Sequence, residues 1–210
     1  MERPTIITIS GSPGAGKSST ADRVAEMLGY TRYSSGDLVR KVVQKRNLTL
    51  AEYNERAAED HSLDEAVDDE LRKLRNYHDI IIDSRLGFYW IPESFKVFLD
   101  LDIEVASVRI FKDAVSNEAR SGVGEFSDSL KAATDRVRER METERQRFKN
   151  LYNVDPFNRS HFDLTVDTSR HSPETVALTI FDHYRQWLKT DAWKPVHSSV
   201  PLGYSMKNQY

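Results

Sequence analysis

The most constraining feature is a junction: the β-branched, apolar run TIITIS at residues 5–10 passes directly into GSPGAGKSS at residues 11–19. Gly11, four residues, then Gly16, Lys17 and Ser18 satisfy the phosphate-loop pattern G-x-x-x-x-G-K-[ST] at every position. Strand, glycine-rich turn and helix, in that order, form the context in which this pattern works. Glycines let backbone N–H groups turn in around a polyphosphate where a Cβ would block the approach. The helix that follows adds unpaired N–H groups and the positive end of its dipole. Gly11, Ser12, Pro13, Gly14, Ala15, Gly16, Lys17, Ser18 and Ser19 are therefore expected to cradle a nucleoside triphosphate. Lys17 can reach the β- and γ-phosphates, and the Ser18 hydroxyl can ligate Mg²⁺.

Downstream, strand and helix signals alternate. Strands are expected at residues 30–35, 79–83, 95–100 and 161–167, the second of these nearly all aliphatic and so placed centrally. Helical spacing runs through 18–28, 36–46, 61–76, 103–112 and 128–152, with a last helix opened by Pro173. Leu63, Val67, Leu71 and Leu74 form one apolar stripe. Thr49 and Glu52 stand at capping-box spacing. Residues 116–128 are polar, contain Gly122 and Gly124, and read as a mobile loop. Beyond Lys189 the pattern dissolves, so 190–210 is expected to be a loose tail or one packed back on the core. The alternation implies an α/β fold in three layers, a parallel sheet covered on both faces, as one domain over 1–189.

A net charge of −3 gives no whole-chain field for nucleic acid or an anionic membrane, so any anion site must gather its cations locally. With no cysteine and no apolar run of spanning length, the expectation is a cytoplasmic protein without nucleic-acid or membrane partners. His61, His78, His161 and His171 lack metal-ligand spacing and are expected at the surface or in packing.

What happens to the γ-phosphate is read from the residues after the second core strand. A guanine-specific switch normally carries Asn-Lys-x-Asp, which this sequence lacks. A hydrolytic ATPase usually sets a glutamate beside the acidic strand end, whereas Asp83 is followed by Ser84 and Arg85. Arginine is suited to gripping a second phosphate rather than activating water. Transfer onto an anionic acceptor needs several such groups near the loop. At 100° per residue, Arg136, Arg140, Glu144 and Arg147 share an arc of roughly 80°, with Arg138 and Arg145 on the other side. Val137, Met141, Phe148 and Tyr152 form the buried stripe between them.

Taken together, GSPGAGKSS, SSGDLVR, IIIDSRLG and RMETERQRFKNLYNVD resemble the shorter branch of the cytidylate kinases, within the nucleoside monophosphate kinases, over residues 4–185. The resemblance implies a P-loop kinase fold with a five-stranded parallel sheet, an acceptor-binding helical segment at 36–76 and a lid at 113–140. It implies Mg²⁺-dependent transfer of the ATP γ-phosphate to CMP or dCMP, by an enzyme expected to act as a monomer on small-molecule nucleotides. By position, Ser35 and Arg40 fall where the family holds the acceptor, and Ser35 could equally cap the next helix. Arg85 matches the arginine that meets the acceptor phosphate, and Arg140 and Arg147 match the lid-side pair, with Glu144 between them. Asp83 falls beside the metal, and Asp37 reads as a first-turn residue.

This sequence departs from the family pattern on the acceptor side. DEAVD puts Glu65 where an arginine helps to hold the nucleotide, and Leu86 stands where longer relatives carry an aspartate. An arginine expected just after Lys112 is missing, with Arg120 as its candidate replacement. These changes touch base selection, so three alternatives stay open: adenylate kinase chemistry, a non-nucleotide acceptor, and a nucleotide-dependent switch.

Overall fold

The computed structural model describes residues 3–49, 52, 61–116 and 129–199. Strand β1 (Ile6–Gly11) lies inside a sheet with β2 (Thr31–Ser34), β3 (Ile80–Asp83), β4 (Phe95–Asp100), β5 (Leu164–Asp167) and β6 (Val196–Ser199). The order is β2-β3-β1-β4-β5-β6, and every neighbouring pair is parallel. The period of two in each strand divides the core. Ile7 and Ile9 of β1, Ile81 of β3 and Val97 and Leu99 of β4 face one side. Ile6, Ile80 and Ile82 face the other.

Helices α1 (Lys17–Leu28) and α7 (Pro173–Trp187) pack together on the first side, where Val24, Val176, Ile180 and Tyr184 close the cluster. On the second side α2 (Ser35–Lys45) and α3 (His61–Lys73) contribute Leu38, Val42, Val67 and Leu71. Leu74 begins a short 3₁₀ turn and stays buried with them, while the side chain of Leu63 lies outside the described residues. A third cluster gathers Leu86, Phe88, Phe98, Val154, Phe157 and Phe162. It joins the short α4 (Gly87–Trp90) to the end of the long α6 (Leu130–Tyr152), which also packs against α5 (Ile103–Ser116).

Caps mark the boundaries. Thr49 and Glu52 form the reciprocal box read from the sequence, with the Glu52 N–H donating to Thr49 Oγ1 at 3.1 Å and the Thr49 N–H to Glu52 Oε2 at 2.7 Å. Ser172 caps α7 through the Thr175 N–H, with Pro173 at the first position. Ser34, not Ser35, caps α2, its Oγ accepting from the Gly36 N–H at 3.2 Å.

The expectation of five strands is corrected to six. Val196–Ser199, within the stretch where sequence periodicity dissolves, pairs with β5. Trp193 directs it there: its Nε1 donates to the Asp163 carbonyl at 3.1 Å and its ring meets Phe95 edge-on at 5.9 Å. Among the described residues no helix is long and apolar enough to cross a membrane.

Candidate active site

The sheet order turns at β1, whose neighbours β3 and β4 follow it in sequence on opposite sides. In parallel sheets the crevice beyond the carboxyl ends of such strands is where ligands bind. Gly11, Asp83 and the residues just after them end there.

Two glycines make the loop possible. A Cβ on Gly11 would collide with the Leu99 carbonyl oxygen, so only glycine lets β1 turn this close to β4. Gly16 has φ 78°, a left-handed conformation from which α1 starts without any side-chain cap. The first-turn N–H groups of α1 are thus left for a ligand. Pro13, Gly14, Gly16, Lys17, Ser18 and Ser19 line one cavity of about 470 Å³, whose wall also takes in Arg85, Arg140, Ile110 and Asp113. Gly11, Ser12 and Ala15 are buried and support the turn from beneath.

Lys17 folds back over this turn and donates to the carbonyls of Gly11 at 3.4 Å and Ser12 at 3.2 Å. Burial first, and then the neighbouring Arg85 guanidinium, pull its amine down to about 7. Across the turn, Ser18 Oγ donates to Asp83 Oδ2 at 2.7 Å. A hydroxyl and a carboxylate side by side at a phosphate loop are the oxygen donors that Mg²⁺ takes, with phosphate oxygens and waters completing an octahedron. The residues present fit that ion.

Arg85 is the hub. Its Nε donates to Glu144 Oε2 at 2.5 Å, its Nη2 to Glu144 Oε1 at 3.4 Å, and its Nη1 to the Gly11 carbonyl. Arg140, one turn back on α6, donates to the same carboxylate at 3.3 Å. Burial alone would raise the Glu144 carboxyl, but the charge and hydrogen bonds of Arg85, followed by Arg140, hold it below the usual range. Arg85 also lines a second cavity, of about 180 Å³, with Ser35, Leu86, Arg147 and Phe148. One guanidinium therefore belongs to the walls of both cavities.

Most candidates read from the sequence meet here. Lys17, Ser18, Asp83, Arg85, Arg140 and Glu144 form one electrostatic cluster, and Arg147 and Ser35 flank the adjoining cavity. Arg40 is different: it pairs with Asp37 at the surface and is not among the residues lining either cavity. Asp37 sits in the first turn of α2, as read. Glu65 is exposed, and Arg145 turns away to pair with Glu142 and Asp155. Arg120, Gly122 and Gly124 lie outside the described residues.

Two features went unread. Arg32 of β2 donates from Nη2 to Asp83 Oδ2 at 3.1 Å and from Nη1 to Asp22 Oδ1 at 3.0 Å, bracing the carboxylate beside Ser18. A third cavity, of about 330 Å³, opens on the other flank of the loop, lined by Gly14, Thr20, Arg109, Thr168 and His171. Arg109 is held there by the Thr168 and Ser169 carbonyls at 2.8 and 3.0 Å. The rule that ligands gather beyond strand carboxyl ends points to Thr168, which directly follows β5.

The sequence profile of the cytidylate kinase-like family matches residues 6–170. A cytidylate kinase of Halobacterium salinarum is 35% identical over 84% of this chain and 88% of its own. One from Aeropyrum pernix is 35% identical over 85% of this chain and 98% of its own. Among solved structures, a shikimate kinase from Bacteroides thetaiotaomicron superposes with TM-score 0.59 at 13% identity, over 89% of this chain and 99% of that one, a likeness of fold alone. The chain belongs to the cytidylate kinase-like family of nucleoside monophosphate kinases.

Proposed function

We propose that this protein transfers the γ-phosphate of ATP to CMP or dCMP, with Mg²⁺, giving the diphosphate and ADP. The observation that carries the reading is Arg85, shared between the phosphate-loop cavity and the one beside it. A guanidinium at that wall can meet the acceptor phosphate and the moving group at once. Its present partner, the Glu144 carboxylate, marks where an anion is welcome.

In the proposed reaction an acceptor phosphate oxygen attacks the γ-phosphorus in line and the bond to the β-γ bridging oxygen breaks. The electron pair leaves with ADP, and the enzyme forms no covalent bond. The acceptor is already anionic, so no general base is required. Lys17 and the loop N–H groups hold the donor phosphates; Arg85, Arg140 and Arg147 hold the acceptor phosphate and the spreading charge. Ser18 and Asp83 would hold Mg²⁺, which would neutralise the β- and γ-oxygens. The cavity of Arg109, Thr168 and His171 is the space left for the donor base and ribose. Residues 36–76 serve as the acceptor-binding segment and 113–140 as the lid of a cytoplasmic monomer.

The test is a panel of CMP, dCMP, UMP and AMP with Mg-ATP, read by ADP release. CMP or dCMP is expected to drive turnover, and Lys17→Ala to abolish it. Turnover at background with all four acceptors would overturn the proposal.

A further inference from the structure

The wall of the phosphate-loop cavity is not uniformly cationic. Lys17, Arg85 and Arg140 bring positive charge to it, and α5 brings Asp113. Packing explains why α5 takes part. A Cβ on Gly14 would lie 3.3 Å from the Ala106 carbonyl oxygen and 3.4 Å from Ile110 Cγ1, so α5 runs directly against the loop. Asp113 follows Ile110 by about one turn, on the same helix face, and both line the cavity. Asp113 stands just after Lys112, at the position where the expected arginine is missing. It is exposed, and it lies in the last turn of α5, where the helix dipole is itself negative and no basic residue offsets it.

The two other carboxylates of the cluster have parts already described. Asp83 takes the Ser18 hydroxyl, and Glu144 binds Arg85 and Arg140. The part played by Asp113 follows from its charge. Coulomb energy scales with the charge of the ligand, so a fixed carboxylate opposes an anion in proportion to the negative charge it carries. Mg²⁺ on the β- and γ-oxygens cancels two charges of a triphosphate. Any cation that Asp113 meets within the protein is common to both forms of the ligand, so the difference between them survives.

Resting on the kinase reading above, we infer that Asp113 makes the loop discriminate against metal-free triphosphate, by opposing the more highly charged form. Uncomplexed ATP is the unreactive form, because its β- and γ-oxygens are not neutralised. A loop lined by cations alone would hold it the more tightly for its extra charge. The carboxylate on α5 offsets that attraction and leaves the loop to the form that can react.

The experiment measures ATP affinity by titration calorimetry at one ionic strength, in excess Mg²⁺ and in EDTA. The proteins are the native chain, Asp113→Asn and Glu104→Gln. Glu104 is exposed on the same helix, about 13 Å earlier along its axis, and does not line the cavity, so its variant controls for net charge. Asp113→Asn is expected to tighten ATP binding in EDTA about tenfold and Mg-ATP binding only about threefold, as their charges differ by a factor of about two. The preference for the metal-bound form thus falls about threefold, and Glu104→Gln leaves it unchanged. Equal factors in both conditions, no change in either, or the same change in Glu104→Gln would overturn the inference. The native protein alone can also overturn it, by binding ATP as tightly in EDTA as in Mg²⁺. If ATP binds in neither condition, or binds without CMP turnover, the kinase reading itself fails, a result distinct from lost discrimination.

Discussion

Lys17 carries a pH signature. Its amine titrates at about 7 in the folded chain against 10.5 for an ordinary lysine, because burial and then Arg85 oppose its charge. The unfolded chain therefore binds more protons between about pH 7 and 10.5, and stability from this group rises with pH across that window. The slope approaches about 1.4 kcal/mol per pH unit, and Lys17→Met is expected to flatten it in urea titrations at several pH values. A triphosphate in the loop reverses the balance by bringing negative charge to the amine. Nucleotide binding near pH 7.5 should then take up a fraction of a proton, read calorimetrically in two buffers of different ionisation enthalpy. Glu144 has the opposite sign: its lowered pKa gives stability above the ordinary carboxylate range that is lost as pH falls through the folded value. Glu144→Gln leaves Arg85 and Arg140 without their shared counter-ion and is expected to cost about 1–3 kcal/mol. Added inorganic phosphate should restore part of that loss in a thermal melt.

Helix α6 shows how far local pattern reaches. Its 3.6-residue period placed Val137 in the core, set Met141, Phe148 and Tyr152 against it, and turned Arg140 and Glu144 toward the loop. Those features repeat along one element, which is why they could be read in advance. The α2 cap could not be resolved the same way, since Ser34 and Ser35 are adjacent and either satisfies the N-cap preference. Arg32 was invisible for a different reason. Its partners lie 10 and 51 residues away, on other elements, and a single arginine in a strand leaves no period. It joins β2, β3 and α1 at the carboxylate beside Ser18. Arg32→Gln is expected to free Asp83 and raise the Mg²⁺ concentration needed for half-maximal turnover several-fold, with ATP affinity in EDTA unchanged. An unaltered Mg²⁺ requirement would assign the residue to packing alone.

At the scale of the molecule, alternation of strands and helices was enough to foresee the layered parallel sheet, because each buried strand carries its own aliphatic run. The sixth strand carries VHSS, with no such run, and owes its place to Trp193 docking on Phe95. Trp193→Ala is expected to destabilise the fold by about 1–3 kcal/mol, seen in urea denaturation, while kcat/KM stays within about twofold. The site lies at the other side of the sheet order, around β1 and β3, and it depends on two cavities meeting at one side chain. The most direct measurement is therefore CMP-stimulated ADP release by Arg85→Gln beside the native protein, with Mg-ATP affinity measured in parallel. A fall in kcat/KM for CMP of about 100-fold or more is expected, with a change in ATP affinity below about threefold. CMP turnover undiminished by Arg85→Gln would contradict it.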